Sequence, residues 1–174
     1  PFVVGAGAQD YIYRDSGVAG DGLCRTIIEN VGNYLTPGGT AQIMANWIVR
    51  EDDWRSRVQE WLAGTGLHAW VVQRELADPV SYVSLWLADA GESADQIAQR
   101  GADWLDWFDA QGITGIGMGL ISLRVPRPGE APEQILEEIT DEPITGIEVE
   151  AFFARRAYLR DTSDDALLAA RLST

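Results

Sequence analysis

Apolar positions along the chain switch between two periods, and the switches mark the elements. In DGLCRTIIENVGNYL, Leu23, Ile27, Ile28, Val31 and Leu35 recur at helical spacing behind Asp21, a candidate N-cap, which predicts an amphipathic helix. TPGG stops that helix, and TAQIMANWIV supplies a β-compatible apolar run. EDDWRSRVQEWLAGTG repeats the order: acidic residues open it, Trp54, Val58, Trp61 and Leu62 share a face, and Gly64 and Gly66 end it before the strand pattern LHAWVVQREL. Two helix–strand units in succession predict an α/β layer architecture with a largely parallel sheet covered on both faces.

The pattern then changes. DPVSYVSLWLADAG and SADQIAQRGADWLDWFDAQG are both helical in period, so residues 78–112 are expected as a helical insertion before a last strand in GITGIGMGLISLRV. Gly115, Gly117 and Gly119 are spaced as in a phosphate loop, yet neither a Lys nor a helix start follows, so a bulged or closely packed strand is expected. PRPGEAPEQILEEITDEPITGIEVE is Pro-rich and acidic and predicts a solvated connection around a short helix. EAFFARRAYLRDTSDDALLAARLST predicts a helical end. The expected division is therefore 1–125 for the α/β part and 126–174 for an acidic linker with a helical extension.

Charge and composition narrow the chemistry. With 27 acidic against 13 basic residues the net charge is −14, which disfavours non-specific binding of phosphate backbones by this segment. Cys24 is the only cysteine and His68 the only histidine, so an intrachain disulfide and a cysteine-cluster metal site are both excluded, no metal is expected, and structural roles are expected for both residues. A reducing cytoplasm is the expected setting, and no apolar run reaches the ~18–20 residues a membrane span needs. Seven tryptophans invite a stacking platform for single-stranded nucleic acid, but without basic residues between them core packing is the better expectation. The first residue is Pro with a strand pattern directly behind it, and the last helix has no C-cap. The sequence is expected to begin inside a domain and to be cut at its other end as well.

The opening PFVVGAGAQDYIYRD has two readings. VVGAGAQD has the strand and glycines of a dinucleotide-binding turn, but the third glycine position holds Asp10, and Gly17, Gly20 and Gly22 interrupt the helix that should follow. The alternative is the end of a catalytic loop.

The succession of Pro-Phe, a glycine-rich loop, GLCRTIIENVGNYLTPGG, strand, helix and strand resembles the second half of a class I S-adenosylmethionine-dependent methyltransferase. More narrowly it is similar to the small-domain group of release-factor glutamine and ribosomal RNA guanine-N2 methyltransferases. In that group an Asn-Pro-Pro-Phe or Asn-Pro-Pro-Tyr loop ends the fourth strand, and a Leu-x-Pro-Gly-Gly turn leads into the fifth. Pro1 and Phe2 match the end of the loop; Leu35, Pro37, Gly38 and Gly39 match the turn. The resemblance covers residues 1–77, more loosely the strand near 113–125, and the wording YRDSG, GDGL and NYLTPGG is similar to an actinobacterial branch.

That resemblance implies a Rossmann-like sheet and catalysis by positioning. The loop's Asn and a proline carbonyl would accept both N–H bonds of a planar amide or amine, while the aromatic ring stacks on it. Pro1 and Phe2 are the implied catalytic residues. The S-adenosylmethionine loop, the ribose-binding acid and the loop Asn would all precede Pro1, so the segment alone is expected to be inactive. Ligands of open α/β sheets lie beyond the carboxyl ends of the strands. Asn46 and Trp47 are accordingly candidate substrate contacts, or else a cap beside a buried Trp. Tyr13, Arg14 and Asp15 are candidate substrate contacts or a local ion pair. The expected activity is N-methylation of a protein glutamine or an RNA base; the competing expectation is a non-catalytic interaction module that retains the fold.

Overall fold

The computed structural model describes residues 2–3, 17–88 and 93–171. The chain is α/β, with a four-stranded mixed sheet and helices. It divides into two compact units, residues 1–140 and 141–174.

In the first unit, helix α1 (Gly22–Val31) runs through a 3-10 turn (Gly32–Tyr34) to strand β1 (Thr40–Val49). Helix α2 (Arg55–Leu62) leads to β2 (His68–Ala77), and helices α3 (Pro79–Ala88) and α4 (Ala94–Ala110) form the insertion before β3 (Gly115–Arg124). The local chemistry accounts for the boundaries. In the TPGG turn Gly38 takes φ 78, which only glycine adopts without strain, and Gly39 N–H donates back to the Thr36 carbonyl at 2.7 Å. Asp78 caps α3 by accepting from Ser81 N–H at 3.0 Å, with Pro79 in the first turn, and a Ser93–Gln96 capping box starts α4.

Two departures from the sequence reading concern the sheet. Its order is β1-β3-β2-β4 (β4, Gln134–Glu138), and β3 runs antiparallel to both β1 and β2, so the sheet is mixed rather than largely parallel. Hydrophobic period is the same read in either direction, and the long connection through α3 and α4 returns the chain reversed between its two neighbours. The second departure is β4, which lies where a solvated connection around a short helix is expected. It pairs parallel with β2 from Ala69↔Gln134 to Gln73↔Glu138. Its acidic side chains are used locally: Glu137 accepts from Trp70 Nε1 at 2.6 Å and Glu138 from Trp54 Nε1 at 2.8 Å.

The two sheet faces carry separate cores. On one, Cys24, Ile28, Val58, Trp61 and Leu62 of α1 and α2 pack on Ala45, Trp47, Val71 and Ile121. On the other, Tyr82, Val83 and Leu87 of α3 and Trp104 and Phe108 of α4 pack on Ile48 and Ile116, with Val3 buried among them. The second unit holds α5 (Gly146–Asp161), started by a Thr145–Glu148 capping box, and α6 (Asp164–Ala169), capped by Ser163. No helix among the described residues is long and apolar enough to cross a membrane.

Candidate functional site

Phe2 lies against helix α3, on the face of the sheet that the insertion covers. Its neighbour Val3 is fully buried with Ile48 near the end of β1 and Ile116 at the start of β3. Phe2 is 37% exposed, and its ring packs against Trp86 of α3, with ring centroids 4.3 Å apart and planes tilted by 59°. Val3 is held by polar contacts: the Tyr82 hydroxyl accepts its N–H at 3.1 Å and donates to its carbonyl at 3.0 Å. Asn46 donates to the same hydroxyl from β1 at 3.3 Å. Burial pushes the Tyr82 phenol up to about 12, so it keeps its proton in neutral solution.

Of the candidate residues, Phe2 and Asn46 are thus brought into one cluster through Tyr82. Trp47 is not. Successive residues of a strand face opposite sides, so Trp47 points into the α1–α2 core, where it is fully buried and stacks on Trp54 with centroids 5.6 Å apart. Its Nε1 donates to Gln73 Oε1 at 3.1 Å. Of the two readings of Trp47, the structure shows the buried one; the run Trp47-Ile48-Val49 is apolar throughout, so alternation does not mark its faces in the sequence. Pro1, Tyr13, Arg14 and Asp15 lie outside the described residues.

The rim beside the cluster is charged. β1 ends in a tight turn in which Asp53 N–H donates to the Arg50 carbonyl at 3.0 Å, with Glu51 and Asp52 both left-handed at φ 52 and 59. Neither is a glycine or asparagine, so each costs on the order of 1 kcal/mol in strain. On one side of the turn an open cleft of about 360 Å³ is lined by Arg50, Glu51, Asp53, Ser56, Arg57 and Glu60. Hydrogen bonds from the Ser56 hydroxyl and from the Ser56 and Arg55 amides hold the Asp53 carboxyl below its ordinary value. On the other side a smaller cleft of about 170 Å³ is bounded by Trp54, Gln73, Leu76 and Glu138. Both clefts are open to solvent.

Asp21 is held by partners outside its own helix. It stands at the N-cap of α1 but makes no capping bond with its side chain. The carboxylate is 1% exposed and accepts from Ile48 N–H at 2.9 Å, Arg57 Nε at 3.1 Å and Arg57 Nη2 at 2.6 Å. Those bonds push the Arg57 guanidinium above its already high ordinary value, against the opposing effect of burial. One carboxylate thus ties the start of α1 to the end of β1 and to α2. His68 is buried away from this rim: its Nδ1 accepts from Glu133 N–H at 3.1 Å, leaving its proton on Nε2, which faces Glu130 at 3.3 Å. The Cys24 thiol donates to the Asn46 carbonyl at 3.2 Å, and burial pushes it up to about 11. Among the described residues no group of His, Cys, Asp or Glu side chains is placed to hold a metal ion.

Sequence reasoning missed Tyr82 and Trp86. In SYVSLW they read as ordinary apolar positions of a helix, and the one available signal is that a buried Tyr hydroxyl needs a partner. Compared with known proteins, the chain matches no family model, and no curated protein matches it in sequence.

Proposed function

We propose that this chain is the carboxyl-terminal part of an S-adenosylmethionine-dependent N-methyltransferase acting on a planar amide or amine in protein or RNA. The observation that carries the reading is Phe2: an aromatic residue left partly exposed beside α3 while the next residue is buried and bound through both main-chain groups. Ligands of open α/β sheets gather beyond the carboxyl ends of the strands. The order of Pro-Phe, helix, Pro-Gly-Gly turn, strand, helix and strand supports the same reading, and the mixed sheet is compatible with part of a Rossmann-like fold.

In this reading Phe2 stacks on the planar acceptor group and orients its nitrogen, whose lone pair is otherwise delocalised. Trp86 already occupies one side of the ring, and a 4.3 Å centroid separation leaves no space for a planar group between the two. The acceptor therefore meets the side of Phe2 turned away from α3. When bound, the cofactor would supply the methyl group.

The test is transfer of label from radiolabelled S-adenosylmethionine into cell extract by the protein carrying this chain, followed by RNase or protease. Label released by one of the two treatments is the expected result, and Phe2→Ala is expected to lower transfer at least tenfold, about 1.4 kcal/mol, with cofactor affinity unchanged. Absence of label from both polymers overturns the reading.

A further inference from the structure

The helical insertion meets the Phe2 loop at two residues one helical turn apart. Tyr82 and Trp86 stand at i and i+4 on α3, so their side chains lie on one face. The Tyr82 hydroxyl meets both main-chain groups of Val3 and the Asn46 amide. A phenol has one proton and two lone pairs; here the proton goes to the Val3 carbonyl, and the lone pairs take the Val3 N–H and the Asn46 amide. A single hydroxyl bound to both main-chain groups of one residue fixes the direction of that residue's backbone. Tyr82 is 1% exposed and also packs on Phe108 of α4, with centroids 6.4 Å apart, so the hydroxyl is itself rigidly held. Trp86 then limits the ring of the preceding residue, Phe2.

We propose that Tyr82 and Trp86 are positioning residues for Phe2, Tyr82 by gripping the backbone of Val3 and Trp86 by backing the Phe2 ring, and that this is what the helical insertion contributes to the site. The proposal rests on Phe2 being the stacking residue. The physical effect is pre-organisation: a ring held in place before the acceptor arrives loses less freedom on stacking.

The decisive measurement needs no activity. Tyr82→Phe keeps the packed ring and removes only the hydroxyl, so the Val3 amide is expected to exchange with solvent at least tenfold faster by NMR, while amides in the middle of β1 and β3 are unchanged. Trp86→Leu leaves the Tyr82–Val3 bonds in place and is expected to free the Phe2 ring, seen as loss of its nuclear Overhauser contacts to α3; Trp86→Phe restores them. In the protein carrying this chain, Tyr82→Phe and Trp86→Leu are each expected to lower methyl transfer about tenfold at saturating S-adenosylmethionine, with cofactor affinity unchanged and Trp86→Phe recovering the rate. An unchanged Val3 exchange rate in Tyr82→Phe overturns the proposal, as does an unchanged transfer rate in a variant whose Val3 amide has been released. Absence of transfer in the wild-type protein removes the methyltransferase reading instead, and Val3 exchange then decides by itself whether the insertion holds the loop.

Discussion

The indole of Trp47 fills the space that a side chain at Gly117 would need. The two residues are partners across the β1–β3 ladder, and a Cβ on Gly117 would lie 2.0 Å from Trp47 Nε1 and 2.5 Å from Gln73 Oε1. The bare strand lets Trp47 of β1 reach across β3 to a hydrogen-bond partner on β2. Gly119, two residues on and so on the same face, is equally confined, with a Cβ 2.0 Å from the Val72 carbonyl oxygen. Gly117 and Gly119 of GIGMG therefore make room for one tryptophan, while Gly115 lies against Leu76.

Gly117→Ala should destabilise the fold by about 2–4 kcal/mol, since the added methyl overlaps a ring wedged in a close-packed core and breaks a buried hydrogen bond. Urea midpoints at constant slope measure this. Trp47→Phe in the same chain should recover part of the loss, a non-additive result expected of neighbours in contact. Gly146→Ala, where the added methyl meets nothing within 4 Å, serves as the neutral control. A Gly117→Ala midpoint equal to the wild type would show that the ring is not seated as described.

Asp21 predicts a second large effect. Asp21→Ala strands the Ile48 N–H and leaves the Arg57 guanidinium, only 24% exposed, without its buried partner. The expected loss is about 2–4 kcal/mol, the lower end reflecting the water that reaches Arg57. Asp21→Asn retains an acceptor for Ile48 and should lose roughly half as much. Equal, small losses in both variants would mean that the carboxylate merely caps a helix.

Much of this arrangement is legible in the sequence and some of it is not, for physical reasons. Period marks α1, α2, α3 and α4 and three of the strands, because each buries one face against a neighbour. It does not mark β4, a five-residue edge strand ending in Glu137 and Glu138 whose carboxylates bond to Trp70 and Trp54 and so are acidic without being purely solvated. Nor does it mark the direction of β3. The contacts of Phe2 and Val3 with Tyr82 and Trp86 span some 80 residues of sequence, and no local pattern carries a contact of that separation. Asp21 was placed at the right end of the right helix, but a buried guanidinium and a strand amide compete for its carboxylate and win.

Alkali should destabilise the protein before acid-labile groups matter at the site. The Cys24 thiol moves from 9.0 to about 11 on folding because burial disfavours the thiolate. A group raised in the fold gives a contribution fully present below its unfolded value and lost as pH climbs to the folded one, here between 9.0 and about 11. Tyr82 adds the same trend between 10.0 and about 12. The Cys24 contribution is roughly 3 kcal/mol by linkage. Urea midpoints from pH 8 to pH 11 should fall steeply, and Cys24→Ala should flatten the first part of the fall. A profile identical in Cys24→Ala would show that the thiol is not desolvated.

Among the described residues the outer edge of β1 is unpaired, so in this segment its amides should exchange in an alternating pattern. Gly39 C=O accepts from Val125 N–H and Val49 C=O from Thr114 N–H, so odd-numbered residues of β1 turn their main-chain groups toward β3 and even-numbered ones turn away. Among the described residues, nothing bonds the outward groups of Thr40, Gln42 and Met44, whereas the outward N–H of Ile48 is taken by Asp21 at 2.9 Å. In dilute solution the amides of Thr40, Gln42 and Met44 should exchange at least a hundredfold faster than those of Ala41, Ile43 and Ala45, with Ile48 slow until Asp21→Ala releases it. No residue of TAQIMANWIV is charged, unlike the opposite edge with its two glutamates, so the net charge of −14 does not directly oppose pairing of this edge with a second copy. Raising the protein concentration should therefore slow exchange at Thr40, Gln42 and Met44 together and raise the sedimentation coefficient. Slow exchange at all three in a dilute monomer would mean that the edge is already covered.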